Sequence, residues 1–182
     1  MINIELINLL QRITGISAFA LITLQIFLST NRKFTKLHML NGILAYTFIF
    51  LHPILMVIYR YLYNSQIDPF YVYVDLCVLC DGPYEFYLNL GRVAFWTITL
   101  TVITARLRGN MTFITGKKVG EWIGNNWRKL HLLNYVAFYA VSFHSYNIGT
   151  DSINDLFIYF FWFCQAVVIY SIGKKIVEFK RS

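Results

Sequence analysis

Four histidines stand out as the residues able to do chemistry: His38, His52, His131 and His144. They are the only histidines in the chain. They fall in two apolar stretches, with positions 38 and 52 lying 14 apart and positions 131 and 144 lying 13 apart. An ionisable side chain inside an apolar span is expensive and is by default functional. A single one is readily explained by a hydrogen bond between helices. Four in two matched pairs point to ligands. The stretches around them hold no Asp or Glu, so zinc and di-iron sites fit poorly. The same feature argues against a proton-driven transporter, and the spans hold no arginine ladder of a voltage sensor. Paired imidazoles do suit haem iron, and haem is an apolar plate that fits between helices.

Helical geometry sharpens this. Fourteen residues rise about 21 Å, which places one histidine near each face of a membrane. They turn about 40° short of four full turns, so His38 and His52 share a face. Thirteen residues leave His131 and His144 about 140° apart on a straight helix. That helix must be overwound, tilted or kinked, and no proline marks the place.

The elements that must position them are apolar spans. Only 14% of the 182 residues are charged, against about 25% in soluble domains. Hydrophobic residues make up 57% and aromatics 18%, which excludes disorder and leaves too much apolar surface for a soluble domain. Charge-free stretches cover positions 13–31, 37–59, 130–150 and 156–173, and a fifth at 86–105 is broken only by Arg92. Each is close to the roughly 20 residues that cross a bilayer core. They are too long and continuous for a β-barrel. The expected fold is an all-α integral membrane protein. Residues 1–182 form one domain, a bundle of about five transmembrane helices enclosing two haems. The first span is too long, and lacks the basic flank, for a cleaved signal peptide.

Charge placement sets direction. Basic loops (Arg32, Lys33, Lys36; then Arg106 to Lys129; then the C-terminal tail) alternate with acidic ones (Asp68, Asp75, Asp81, Glu85; then Asp151, Asp155). By the positive-inside rule the basic side is cytoplasmic, with the N-terminus outside a cell (plasma or inner) membrane. The net charge of +7 is therefore a topology signal, with no nucleic-acid partner implied. The two histidine-bearing spans run parallel. His38 and His131 share the cytoplasmic depth, and His52 and His144 the outer depth.

The spacing, with further pieces, resembles the ferric reductase-like transmembrane domain superfamily. That superfamily includes NADPH oxidases, ferric-chelate reductases and the haem-binding subunit of methionine sulfoxide reductase. The pieces are Gly15-Ile16-Ser17-Ala18-Phe19 with Leu24-Gln25, His38-x-x-x-Gly42, Leu51-His52-Pro53, Leu90-Gly91-x-x-Ala94, Thr104-Ala105-Arg106 and Trp127-Arg128-Lys129-Leu130-His131-x-Leu133-x-Tyr135. The resemblance covers roughly residues 10–172. It implies two haem b groups, the inner on His38 and His131 and the outer on His52 and His144. It also implies electron flow from the cytoplasmic side to an outer acceptor: ferric ion, oxygen or an extracytoplasmic redox partner. The family core usually has six spans, and many members carry an FAD and NAD(P)H domain. This sequence holds no G-x-G-x-x-G phosphate loop. The expected donor is a separate cytosolic flavin reductase carrying FMN or FAD, or a quinol.

Other residues support the reading. Arg128 flanks the inner pair and Arg92 enters its span at the outer depth, both suited to haem propionates. Tyr46, Phe48 and Phe138 lie midway between the histidine levels and read mainly as packing. Cys77-x-x-Cys80 in the outer loop could be a structural disulfide, a metal half-site, free thiols or a redox pair. Cys164 reads as core. Loop three, with Gly116, Gly120, Gly124, Trp122 and Trp127, could form an amphipathic surface helix. No repeat is evident. Two other functions compete: a quinol-linked cytochrome b subunit, and a haem-free structural or transporter-like bundle.

Overall fold

A computed structural model describes residues 3–77, 80–107 and 117–181, leaving aside the side chains of Arg32, Leu107, Arg128, Thr150, Phe179, Lys180 and Arg181. The described chain is helical throughout, without strands. The helices are α1 (Ile4–Leu28), α2 (Thr35–Asn64), α3 (Pro69–Tyr73), α4 (Pro83–Leu107), α5 (Lys117–His131), α6 (Leu133–Ile148) and α7 (Asp155–Arg181). Short 3-10 turns at Arg32–Phe34 and Thr150–Ile153 join the bundle's helices.

Among the described residues, α1, α2, α4 and α7 are long and apolar enough to cross a membrane. α2, α4 and α7 outrun their charge-free stretches at both ends and α1 at its start, because charged residues such as Glu5 and Arg106 can sit in the interface. Five spans were expected, and the fourth is the one that falls short. It is α6, with 16 residues against the roughly 20 a crossing needs. The apolar run that predicted it starts inside α5 and is interrupted at Leu132. There the bonds Leu132 N to Lys129 O (3.1 Å) and Tyr135 N to Leu132 O (3.0 Å) close three-residue turns. Tighter winding adds about 20° per residue over α-helical turning, which supplies part of the rotation the 13-residue spacing lacks. The break thus answers the difficulty raised by that spacing. From Lys117 on, loop three forms an amphipathic helix, Gly116 lying outside the described residues. On α5, Gly120 and Ile123 are buried while Lys117, Lys118, Glu121 and Trp122 are exposed.

Packing is pairwise. α1 lies along α2, and α4 lies along α6, with α7 against α1. Phe19 and Phe138 fill the middle, fully buried and stacked at 5.4 Å, with Phe161 of α7 stacked on Phe19 at 5.7 Å. Midway Phe138 is therefore core, and Tyr46 donates to Thr99 (3.3 Å) across the same layer. The outer helix faces carry exposed apolar side chains, among them Leu9, Ile13, Leu40, Ile43 and Trp162, as contact with lipid requires.

The two helix pairs are copies of each other. Gly15, Ala18, Phe19, Ile22, Thr23 and Leu24 of α1 match Gly91, Ala94, Phe95, Ile98, Thr99 and Leu100 of α4 at one constant offset. Lys36, Leu37, His38, Leu40, Asn41 and Tyr46 match Lys129, Leu130, His131, Leu133, Asn134 and Tyr139 at another. A two-helix unit thus occurs twice, which corrects the expectation of no repeat. Two spans separated by a break of variable length hide it from a single-offset comparison.

Candidate functional site

The site is built from α2, which carries His38 and His52, the last residue of α5, His131, and α6, which carries His144, with the histidines at two levels. The His38 and His131 ring centres are 6.1 Å apart. Those of His52 and His144 are 6.5 Å apart. Both pairs expected from the sequence are therefore brought together, at opposite ends of the same bundle, with the phenylalanine layer between them. α2 carries Pro53 directly after His52, which leaves the Ile49 carbonyl without its helical donor at that level.

The backing helices, α1 and α4, fix the imidazoles. His52 Nδ1 bonds the Gln11 carbonyl at 2.9 Å, and His144 Nδ1 bonds the Tyr87 carbonyl at 3.0 Å. Each carbonyl lies four residues before a glycine, Gly15 and Gly91. In a helix the side chain at i+4 leans back over the carbonyl at i. Without that side chain the carbonyl is open to a second donor. A Cβ at Gly15 would lie 3.0 Å from the His52 ring, and one at Gly91 would lie 2.6 Å from His144 Nδ1. His38 Nδ1 bonds the Gln25 carbonyl at 3.1 Å in the same manner, with the small Ser29 at i+4. A carbonyl accepts, so Nδ1 carries the proton in all three and Nε2 is the acceptor nitrogen, taken up at His38 by the Gln25 amide at 3.0 Å. His131 Nδ1 is buried and has no hydrogen-bond partner.

The repeat extends to the polar partners. Asn41 Nδ2 donates to Gln25 Oε1 at 2.8 Å, and Gln25 Nε2 lies 3.0 Å from His38 Nε2. At the equivalent place Thr101 Oγ1 donates to Asn134 Oδ1 at 2.7 Å. Gln25 was seen in the sequence only as part of a fragment, and Asn41, Thr101 and Asn134 were missed. Their signal was the shared His-x-x-Asn of both copies.

A cavity of about 370 Å³ opens at the His52–His144 level. Gly15, Ile49, Gly91, Phe95 and Val141 form much of its wall, and Arg12, Arg92, Tyr59 and Asp151 also line it. The volume lies in the range of small-molecule and cofactor sites. Arg12, missed in the sequence because it precedes the charge-free stretch, forms an ion pair with Asp151. Among the described residues no three His, Cys, Asp or Glu cluster as a metal site.

Arg92 is buried at 3% exposure and lines this cavity. Its terminal nitrogens donate to the carbonyls of Asp75 and Tyr71, while Nε has no partner. Two α4 neighbours on the same face act alike. Asn89 donates to the Cys77 carbonyl (2.9 Å) and Trp96 to the Tyr73 carbonyl (2.7 Å). Positions 89, 92 and 96 share one helix face. They hold residues 69–77 over the His52 end. α3 within that segment starts as expected, with Asp68 capping Tyr71 N (2.9 Å) and Pro69 in its first turn. The Tyr71 ring lies under both Arg60 and Arg92. Burial, then its hydrogen bond to Glu85, push the Tyr71 phenol above its ordinary value, so it remains a neutral donor. Arg92→Ala removes two charge-assisted bonds, each worth about 1.5–3 kcal/mol. Amide exchange within 70–77 should accelerate at least about tenfold, with that of α7 unchanged.

The Arg128 side chain lies outside the described residues, as does Arg108. Lys33, Lys36 and Lys129 are exposed. At the His38 end Lys175 of α7, not singled out in the sequence, sits 5.4 Å over the Tyr135 ring. Trp127 packs edge-on against His131 at 6.2 Å. No family model, no curated protein and no solved structure matches this chain.

Proposed function

We propose that the chain is a transmembrane electron-transfer protein of the ferric reductase-like kind, holding two haem b groups. The supporting observation is the pair of facing imidazole sets at 6.1 and 6.5 Å. Two imidazoles on one metal, with metal–nitrogen bonds of about 2.0 Å, put their ring centres about 6.2 Å apart. The Nδ1–carbonyl bonds add to this by leaving Nε2 as the lone-pair nitrogen at His38, His52 and His144. At the outer pair the apolar cavity would take a haem, and Arg12 and the Arg92 Nε, which line it, would pair with its propionates. At the inner pair His38 and His131 would hold the second haem, and the Gln25 amide must turn away from His38 Nε2. Arg128, beside His131 in sequence, is the proposed inner propionate partner.

When bound, haem supplies one-electron iron chemistry, and the protein sets ligands, depth and dielectric. In this reading α6 is the fifth span, the N-terminus is outside and the C-terminus cytoplasmic. Electrons pass from a cytosolic flavin reductase or quinol to ferric ion, oxygen or an outer reductase. The glycines let the backing helices approach, the carbonyls orient the rings, and the phenylalanine layer keeps water from the interior. The test is the dithionite-reduced absorption spectrum of purified protein. Split b-type bands at two haems per chain are expected. Their absence after haem supplementation rejects the reading in favour of a haem-free bundle.

A further inference from the structure

Cys77 and Cys80 form a disulfide, with Cα atoms 5.2 Å apart, at the edge of the segment that covers the His52 end. Both residues are half-buried. A structural role explains little here. Closing so short a loop removes the least entropy from the unfolded chain. The segment is already held by four hydrogen bonds from Asn89, Arg92 and Trp96. One of these ends on the Cys77 carbonyl itself, from Asn89, two residues after the carbonyl that orients His144. The disulfide and the outer histidine are thus tied to the same turn of α4. The remaining cysteine, Cys164, is free and buried in α7, away from exchange.

We infer that Cys77 and Cys80 are a thiol–disulfide exchange site whose partner is a dithiol of a protein on that side of the membrane. A thiolate of the partner attacks one sulfur, the Cys77–Cys80 bond breaks, and the released cysteine sulfur takes up a proton. The partner's second thiol then attacks the mixed disulfide and loses its proton. The partner ends as a disulfide and this pair as two thiols, so two electrons and two protons have moved. The α4 hydrogen bonds keep the segment in place in both states. This goes beyond the haem reading and does not depend on it.

The test uses full-length Cys164→Ser protein in detergent, equilibrated with glutathione buffers of graded ratio and quenched with a maleimide of high mass. The pair should pass from oxidised to reduced within the buffer series, with the helical circular dichroism unchanged. Cys77→Ser or Cys80→Ser in that background should capture glutathione as a mixed disulfide. The inference is overturned if the pair stays oxidised until the protein unfolds, or if neither single variant captures glutathione. The haem spectrum, recorded on the same samples, reports separately on the histidine sites.

Discussion

His52→Ala is expected to reduce the haem content of the purified protein from two per chain to one. His52 contributes half of the only imidazole set at its level, and its ring faces His144 at 6.5 Å. Its loss also leaves the Gln11 carbonyl without its second donor. The His38–His131 level lies beyond the Phe19–Phe138–Phe161 layer, so it should keep its haem and its spectrum. That retained haem is the folding control. His38→Ala should give the complementary loss. Two haems bound as in the parent, by pyridine haemochrome titration, would refute the pairing. Loss of both from either variant, with the helical content kept, would refute the independence of the two levels.

Gly91→Val is expected to have the next largest effect, although residue 91 would touch no iron. The added Cβ would lie 2.6 Å from His144 Nδ1, closer than side-chain carbons come to ring nitrogens. Helix backbone cannot yield easily, so the imidazole must. It then loses the Tyr87 carbonyl and its aim toward His52. Partners that orient a metal-bound histidine typically change affinity by about 10–100-fold when removed. The outer haem should therefore wash out on dilution or be lost in purification, while the inner one stays. Gly15→Ala is the graded counterpart. Its Cβ would lie 3.0 Å from the His52 ring, so a shift of a few tenths of an ångström accommodates it. A smaller loss of outer haem is expected, read from haem stoichiometry across both variants. Equal retention in Gly91→Val and parent would show that the glycine does not govern the site.

These variants separate what was legible from what was hidden. The helical class was legible because a bilayer leaves the backbone few choices and long charge-free runs advertise them. The shared face of His38 and His52 was legible because helical periodicity converts a spacing of 14 into one face, whereas the spacing of 13 between His131 and His144 does not. The fourth run was misjudged in length, since hydropathy does not register a break such as that at Leu132. The role of Arg92 in holding residues 69–77 was hidden as well, because its acceptors are backbone carbonyls that no side-chain pattern encodes. The duplicated unit was written in the sequence. It became plain once the same carbonyl-to-histidine bond appeared on both α1 and α4.

Sequence alone determined which residues could be ligands and that they lie in pairs along two apolar stretches. Those facts follow from residue chemistry and from the fixed rise and turn of a helix. Tertiary structure alone decided that the pairs meet, how far apart their rings sit, and which nitrogen His38, His52 and His144 offer. Those depend on the close approach of neighbouring helices at Gly15 and Gly91, where a missing side chain exposes a carbonyl to the ring opposite. Such contacts join residues far apart in the chain, and local periodicity carries no record of them.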